Sequence, residues 1–275
     1  MEIFPQSIEP FFIPRDIPVF LFKTLIENIY KIEITGMENI PKTGGAVLVC
    51  NHTDALDVPI QGVFLPRKIT FLGKYELFNP QEPILQMIRD KNSPLASPLF
   101  APLVSILEEN LKNFGDYYAK QMKLWGGMPV IRSFQGTDAK AAVAYYEKLE
   151  NYMVDILKSG EILSIYPEGT RTETGLMGPF KAMAAKIAIR AKVPLIPSGI
   201  SGAWKMSTTQ AFLSGAAFRT KITYNIGNPI PPDQFPNDSE KKSAKMLTEE
   251  LEKRVYYLTT HWERRGSSRR FATVL

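Results

Sequence analysis

Cysteine is nearly absent. Cys50 is the single one in 275 residues, which excludes a disulfide scaffold and fits a reducing compartment. Histidine is almost as scarce: His52 and His261 lie far apart, and with one thiol they form no recognisable ligand set, so no metal centre is expected. Long hydrophobic runs are missing too. The longest uncharged stretch, 92–107, is broken by Pro94, Pro98 and Pro102, and a membrane span needs roughly 20 mostly apolar residues. Near the N-terminus Glu2, Glu9 and Asp16 interrupt any apolar core, so no signal peptide is recognised and a cytoplasmic protein is expected. With 44% hydrophobic and 22% charged residues, the chain is not disordered in the main and has enough length for a sizeable core.

The charge is mildly basic, +5 from 33 Lys and Arg against 28 Asp and Glu. Arg264, Arg265, Arg269 and Arg270 concentrate much of it in the last residues. Such a tail is suited to an anionic lipid surface, or it is a solvated, frayed terminus. The aromatic and basic interleaving of a nucleic-acid platform is missing, so no nucleic-acid partner is expected.

Proline clusters at 5–18, 80–102 and 229–236 mark irregular segments. Phe20, Leu21, Leu25, Ile29 and Ile32 recur at helical spacing and predict a helix over 17–33. After Gly36 short apolar runs alternate with helical patterns. Strands are expected at 46–50, 69–72, 130–132, 162–166, 193–200 and 221–226, and helices from Asp138 to about Gly160, over 180–191, and from about Ser239. This rhythm predicts an α/β fold with a single mostly parallel or mixed sheet flanked by helices. The stretch 80–126 breaks the rhythm and reads as a helical or irregular insertion. The domain reading is an N-terminal helical, membrane-facing segment (1–35), an α/β domain (36–263) and a basic tail (264–275).

His52 directly follows the apolar run 46–50 and precedes a helical pattern beginning near Ala55. Ligands of open α/β sheets bind outside the carboxyl ends of strands. A neutral imidazole there suits proton removal near pH 7, though a histidine in such a loop also serves as a plain hydrogen-bonder. Asp54 and Asp57 follow. A carboxylate bonded to the imidazole would fix its tautomer, and helix N-capping is the competing use of either acid. Five residues of straight helix turn through about 500°, so contact between His52 and Asp57 requires His52 to precede the helix and Asp57 to stand in its first turn. The second constellation, Tyr166-Pro167-Glu168-Gly169-Thr170-Arg171, also follows an apolar run. Gly169 permits positive φ, Arg171 offers a planar fork for phosphate or carboxylate, and Phe180-Lys181 open a helix whose N-terminus favours an anion. A polar turn with surface charges is the alternative.

The order of these blocks carries a resemblance. Asn51 to Asp57 fits an Asn-His-x-x-x-x-Asp pattern, and Tyr166 to Arg171 fits Phe-Pro-Glu-Gly-Thr-Arg with Tyr for Phe. Gly127 to Arg132, Val193 to Pro197 and Gly73 to Leu77 resemble three further blocks in register. The chain resembles the glycerol-3-phosphate and lysophosphatidate acyltransferase family from about Gly36 to Pro231. The resemblance implies His52 as the general base, oriented by Asp57. It implies Glu168, Gly169, Thr170 and Arg171 around a glycerophosphate acceptor, with Lys74, Arg132 and Lys181 as further phosphate candidates. The acyl donor would be a thioester on coenzyme A or acyl-carrier protein, a substrate and not a bound cofactor.

The chemistry agrees with that expectation. An alcohol needs deprotonation before it attacks, whereas a thiolate of parent pKa roughly 8.5 leaves unaided. Backbone N–H groups near Gly169 are candidates for the oxyanion. Cys50, in the apolar run, is expected to be a buried, inert thiol, so transfer is direct. Met183 stands where the family has Gly and would narrow the room for acyl chain or head group. The implied enzyme is a peripheral membrane protein touching anionic phospholipid through 17–33, 92–107 or the Arg-rich tail. Glycerol 3-phosphate and other lysolipids remain alternative acceptors, and a non-catalytic lipid or acyl-carrier binder on the same fold remains an alternative class.

Overall fold

The computed structural model describes residues 11–90, 93, 97–131 and 139–259. In chain order these form α1 (Asp16–Ile29), β1 (Lys31–Thr35), β2 (Ala46–Cys50), α2 (Asp57–Phe64) and β3 (Ile69–Lys74). Then come α3 (Glu82–Arg89), α4 (Ala101–Leu124), β4 (Gly127–Val130), α5 (Ala139–Lys158) and β5 (Ile162–Ile165). The last are α6 (Met183–Ala191), β6 (Leu195–Ser201), α7 (Thr209–Leu213), α8 (Ala216–Arg219), β7 (Lys221–Ile226) and α9 (Glu240–Leu258). The described residues fall in two compact units, the larger within Val19–Phe71 and Gly136–Leu275 and the smaller within Met1–Pro18 and Leu72–Gln135.

The strand order is β1-β7-β6-β2-β5-β3-β4 in one seven-stranded sheet. β2 lies between β5 and β6, parallel to both, and β6 pairs antiparallel with β7, so the sheet is mixed. Every residue of β2 is fully buried, the mark of a central strand covered on both faces. On one face Ala46, Leu48 and Cys50 join Ile60 of α2, Ile26 of α1, and Ile162, Ile196 and Tyr224 in a single apolar cluster. The alternate residues Val47 and Val49 turn to the opposite face, where α5, α6 and α9 pack on the sheet.

In the smaller unit the backbone of Ile13 is tied to α4. Its N–H donates to Gln121 Oε1 at 2.8 Å, and its carbonyl accepts from Gln121 Nε2 and Trp125 Nε1. The expected helical insertion corresponds to α3 and α4.

Some expected boundaries move. The first helix stops at Ile29, and Lys31–Thr35 is a strand pairing parallel with β7. Half-buried Ile32 prolonged the helical stripe in the sequence, whereas with Ile34 it obeys the strand's period of two. A segment boundary at 35 therefore cuts after a sheet strand. The expected strand 130–132 is Gly127–Val130, and Arg132 lies outside the described residues. The helix expected from Phe180 begins at Met183. Trp262 and the tail 264–275 also lie outside the described residues.

Candidate active site

Parallel pairing aligns Val49 with Ile165 and Cys50 with Ser198. Asn51-His52 and Tyr166–Arg171 therefore leave the sheet at the same end. Asn51 prolongs the ladder with its side chain: Nδ2 donates to Ile200 O at 2.9 Å, and Oδ1 accepts Ile200 N–H at 2.8 Å. That two-point bond fixes where the chain leaves β2, one residue before His52.

His52 precedes α2, and Asp57 is its first residue. The His52 Nδ1–H donates to Asp57 Oδ2 at 2.9 Å. The same oxygen accepts the N–H groups of Thr53 at 2.6 Å and Asp54 at 2.9 Å, while Thr53 Oγ1 donates to Oδ1. Asp57 thus binds the turn before the helix and does not cap α2 in the usual sense. Asp54 Oδ1 accepts Leu56 N–H at 3.1 Å, a local turn bond. Burial raises the Asp57 carboxyl above its ordinary value, against the lowering pull of the His52 bond and charge and of the two amides. With Nδ1 committed to Asp57, the neutral ring presents Nε2 as its acceptor, and the side chain stays partly open at 12% exposure. Tyr166 stacks on the imidazole, ring centroids 4.1 Å apart and planes 19° apart.

The loop after β5 grips the His52 backbone. Glu168 Oε1 accepts His52 N–H at 2.7 Å, and Thr172 N–H donates to His52 O at 2.9 Å. The other oxygen, Oε2, accepts Gly178 N–H at 2.6 Å. Burial pushes the Glu168 carboxyl up to about 7. Farther along, Phe180 N–H donates to Glu252 Oε2 of α9 at 3.2 Å, and Lys181 N–H donates to Pro167 O at 3.0 Å. This three-point attachment brings Lys181 over Gly169, whose φ is +82; a Cβ there would stand 2.7 Å from Lys181 Nζ. The glycine supplies both the left-handed turn and the room for an ammonium.

An open pocket of about 470 Å³ lies against this loop, lined by Thr53, Asp54, Thr170, Arg171, Trp204 and Lys205 among others. Thus His52, Asp57, Glu168, Gly169 and Lys181 are joined by contacts, and Thr170 and Arg171 share the pocket with Thr53 and Asp54. Lys74 is the exposed last residue of β3, in the smaller unit, and Arg132 is outside the described residues. Cys50 is fully buried, and burial pushes its thiol well above the ordinary range. Among the described residues no group of three or more His, Cys, Asp or Glu side chains is placed to hold a metal ion.

Asn51, Tyr166, Thr172, Glu252, Trp204 and Lys205 escaped the choice of site residues. Asn51 and Tyr166 stood inside the motif blocks. Glu252 carried a weaker signal: it lies four residues after Thr248 and three before Val255, on the buried stripe of α9. Nothing in the sequence marks Trp204 or Lys205.

A family model described as Acyltransferase matches residues 31–91 and 92–201. A 1-acyl-sn-glycerol-3-phosphate acyltransferase of Bacillus subtilis is 26% identical over 225 residues, covering 82% of this chain and 86% of that protein. The chloroplastic 1-acyl-sn-glycerol-3-phosphate acyltransferase of Arabidopsis thaliana is 25% identical over 226 residues, which are 81% of this chain and 51% of the plant protein. In fold, the chain is similar to the crystal structure of the 1-acyl-sn-glycerophosphate acyltransferase of Thermotoga maritima. The TM-score is 0.53 at 20% identity, over 89% of this chain and 80% of that one. With the family model matched across 31–201, more than half of the chain, the chain belongs to the acyltransferase family, in which its relatives are named 1-acyl-sn-glycerol-3-phosphate acyltransferases, and is an acyltransferase enzyme.

Proposed function

We propose that this enzyme transfers a fatty acyl group from an acyl thioester, on coenzyme A or acyl-carrier protein, to the free hydroxyl of lysophosphatidate, making phosphatidate. One observation carries the reading: the His52 Nδ1–H bond of 2.9 Å to a fully buried Asp57, at the end of the sheet where Arg171 and Lys181 also lie. His52 Nε2 takes the proton of the acceptor hydroxyl as its oxygen attacks the thioester carbonyl. The Asp57 carboxylate stabilises the imidazolium so formed. Gly169 N–H is held by Tyr166 O and Thr172 N–H by His52 O, so the N–H groups of Thr170 and Arg171 steady the tetrahedral oxyanion. Collapse breaks the carbon–sulfur bond, the thiolate leaves, and the imidazolium returns its proton to solvent or the departing sulfur. Arg171 and Lys181 hold the acceptor phosphate.

The acceptor is a lipid, and among the described residues no helix is long and apolar enough to cross a membrane. A lipid acceptor sets the proposed reaction at a bilayer surface. The exposed Phe20, Leu21, Phe22 and Leu25 of α1 support contact by the larger unit. Exposed Leu99, just before α4, and Leu103 and Ile106 in its first two turns support it for the smaller one. Vesicle co-sedimentation at low salt is expected to pellet the protein, and its staying in the supernatant would remove the membrane contact.

The test of the reaction is acyl transfer to lysophosphatidate and to glycerol 3-phosphate, from both carriers, by wild type and His52→Ala. Phosphatidate formation reduced at least about 10²-fold in the variant supports the base. Equal rates reject it, and product from glycerol 3-phosphate alone reassigns the acceptor.

A further inference from the structure

Beyond the residues matched by the family, the pocket beside His52 has a second wall. β6 ends at Ser201, and the chain turns through 202–208 into α7. Lys205 stands in that turn with φ 61, a left-handed conformation uncommon for any residue with a Cβ. Lys192, the other non-glycine residue with positive φ among those described, is the C-cap of α6, where such a conformation closes a helix. Lys205 closes none.

The turn is fastened from several sides. Met206 N–H donates to Ala203 O at 2.9 Å, and Lys205 O accepts both the N–H and the Oγ1 of Thr208. Tyr30 Oη donates to Met206 O at 3.2 Å. Residues held in unfavourable backbone by such surroundings gather at functional sites. The Lys205 ammonium is placed as well, 4.3 Å from the centroid of the Trp204 ring. A cation–π contact holds the charge in place without binding it to a carboxylate.

Lys205 and Arg171 line the same pocket, and among the described residues neither makes an ion pair with a carboxylate. The exposed Glu173 lines it too, while Asp54 has one oxygen on Leu56 N–H. The volume suits a small molecule. The distribution suits one with two ends, a hydroxyl near Thr53 and Asp54, which follow His52, and a phosphate toward the two cations.

We infer that Lys205, held over Trp204, binds with Arg171 the phosphate of a substrate in this pocket. The identity of that substrate rests on the reaction proposed above. Its phosphate belongs either to the glycerophosphate acceptor or to the carrier of the acyl donor.

Calorimetric titration with glycerol 3-phosphate and with coenzyme A separates the sources, on wild type, Lys205→Gly and Lys205→Arg. Glycine removes the ammonium and accepts the left-handed backbone, so this variant is expected to melt no lower than wild type. Binding of one phosphate ligand falls about 10-fold or more in Lys205→Gly and is largely restored in Lys205→Arg. A loss confined to glycerol 3-phosphate assigns the acceptor, and a loss confined to coenzyme A assigns the donor. Wild type binding neither ligand, or Lys205→Gly binding both within about twofold of wild type, overturns the inference. Acyl transfer measured in parallel tests the other reading alone: Lys205-dependent phosphate binding in an enzyme without transfer would sink the proposed reaction and leave this site standing.

Discussion

Glu168 holds the backbone of His52 across 116 positions of chain, its Oε1 accepting the His52 N–H at 2.7 Å. Since Oε2 takes Gly178 N–H, the carboxylate binds together three segments: the end of β2, the turn after β5 and the approach to α6. The resemblance implied an acceptor-binding role for Glu168, whereas the geometry gives it work as a positioning residue. Glu168→Gln sets an NH₂ against one of two backbone N–H donors, and a buried unpaired donor costs about 1–3 kcal/mol. The expected result is a kcat lowered about 10- to 100-fold with a much smaller change in KM for the acceptor. Steady-state kinetics in both substrates checks the split, and a loss wholly in KM would return Glu168 to substrate binding.

Burial, with the neighbouring charges of Asp57 and Glu252, pushes the Glu168 carboxyl up to about 7 from 4.5, and the Gly178 and His52 amides pull the other way. The folded state therefore binds this proton more tightly than the unfolded chain. The stability Glu168 contributes is fully present below about pH 4.5 and is lost as pH rises through about 7, an effect of about 3 kcal/mol. Urea denaturation at pH 5 and pH 8 is expected to show a smaller loss of stability in Glu168→Gln than in wild type. Parallel declines would show that another group titrates.

Asp57→Asn tests the tautomer. An amide at this position can donate to the imidazole and favour the wrong ring proton, and it provides no charge for the imidazolium. The variant also weakens bonds to the Thr53 and Asp54 amides, so some loss of stability accompanies it. A kcat reduced about 10²- to 10⁴-fold, in protein that still melts cooperatively, is the expected outcome. Retention of more than about a tenth of wild-type kcat would remove Asp57 from the catalytic pair.

Much of this arrangement was legible in the sequence because it is local. The run 46–50 reads as a buried strand from its composition, and rotation per helical residue already required Asp57 to enter the first turn after His52. What escaped depends on distant parts of the chain. β1 becomes a strand through pairing with β7, and five alternating residues after a helical stripe do not announce it. The inward turn of Glu168 depends on backbone donors from His52 and Gly178. The turn that holds Lys205 is fastened partly by Tyr30, which donates to Met206 O across 176 positions. Local pattern reports which residues face a core, and long-range hydrogen bonds decide which polar ones are aimed at a site.

Cys50 lies two residues before His52, so a thiol acyl intermediate is an evident rival to direct transfer. Its side chain is fully buried, its Sγ lies 3.6 Å from Asn51 Oδ1, and desolvation with the charges of Asp57 and Glu168 holds its pKa well above the ordinary value. The thiolate is the reactive form. Native protein is expected to resist iodoacetamide at pH 8 while urea-unfolded protein is labelled, as read by intact mass. Cys50→Ala is expected to keep its activity within about threefold, since only a small side chain is lost. Abolished transfer in a folded Cys50→Ala would revive the acyl-enzyme route.

Gly169→Ala examines two constraints at one position. Its φ of +82 is uncommon for an L-residue, and the added Cβ would meet Lys181 Nζ at 2.7 Å. The backbone conflict costs about 1–2 kcal/mol, whereas the ammonium is the end of a flexible side chain and can withdraw. The fold is therefore expected to survive with a modestly lowered melting temperature, and the displaced Lys181 is expected to raise KM for the phosphate-bearing acceptor. Pairing the change with Lys181→Ala separates the causes. If the two substitutions act on acceptor KM through the same displaced charge, the double variant resembles Lys181→Ala alone in KM and Gly169→Ala alone in stability. Additive effects on KM would mean that the turn at Gly169, and not the ammonium packed against it, contributes to acceptor binding independently.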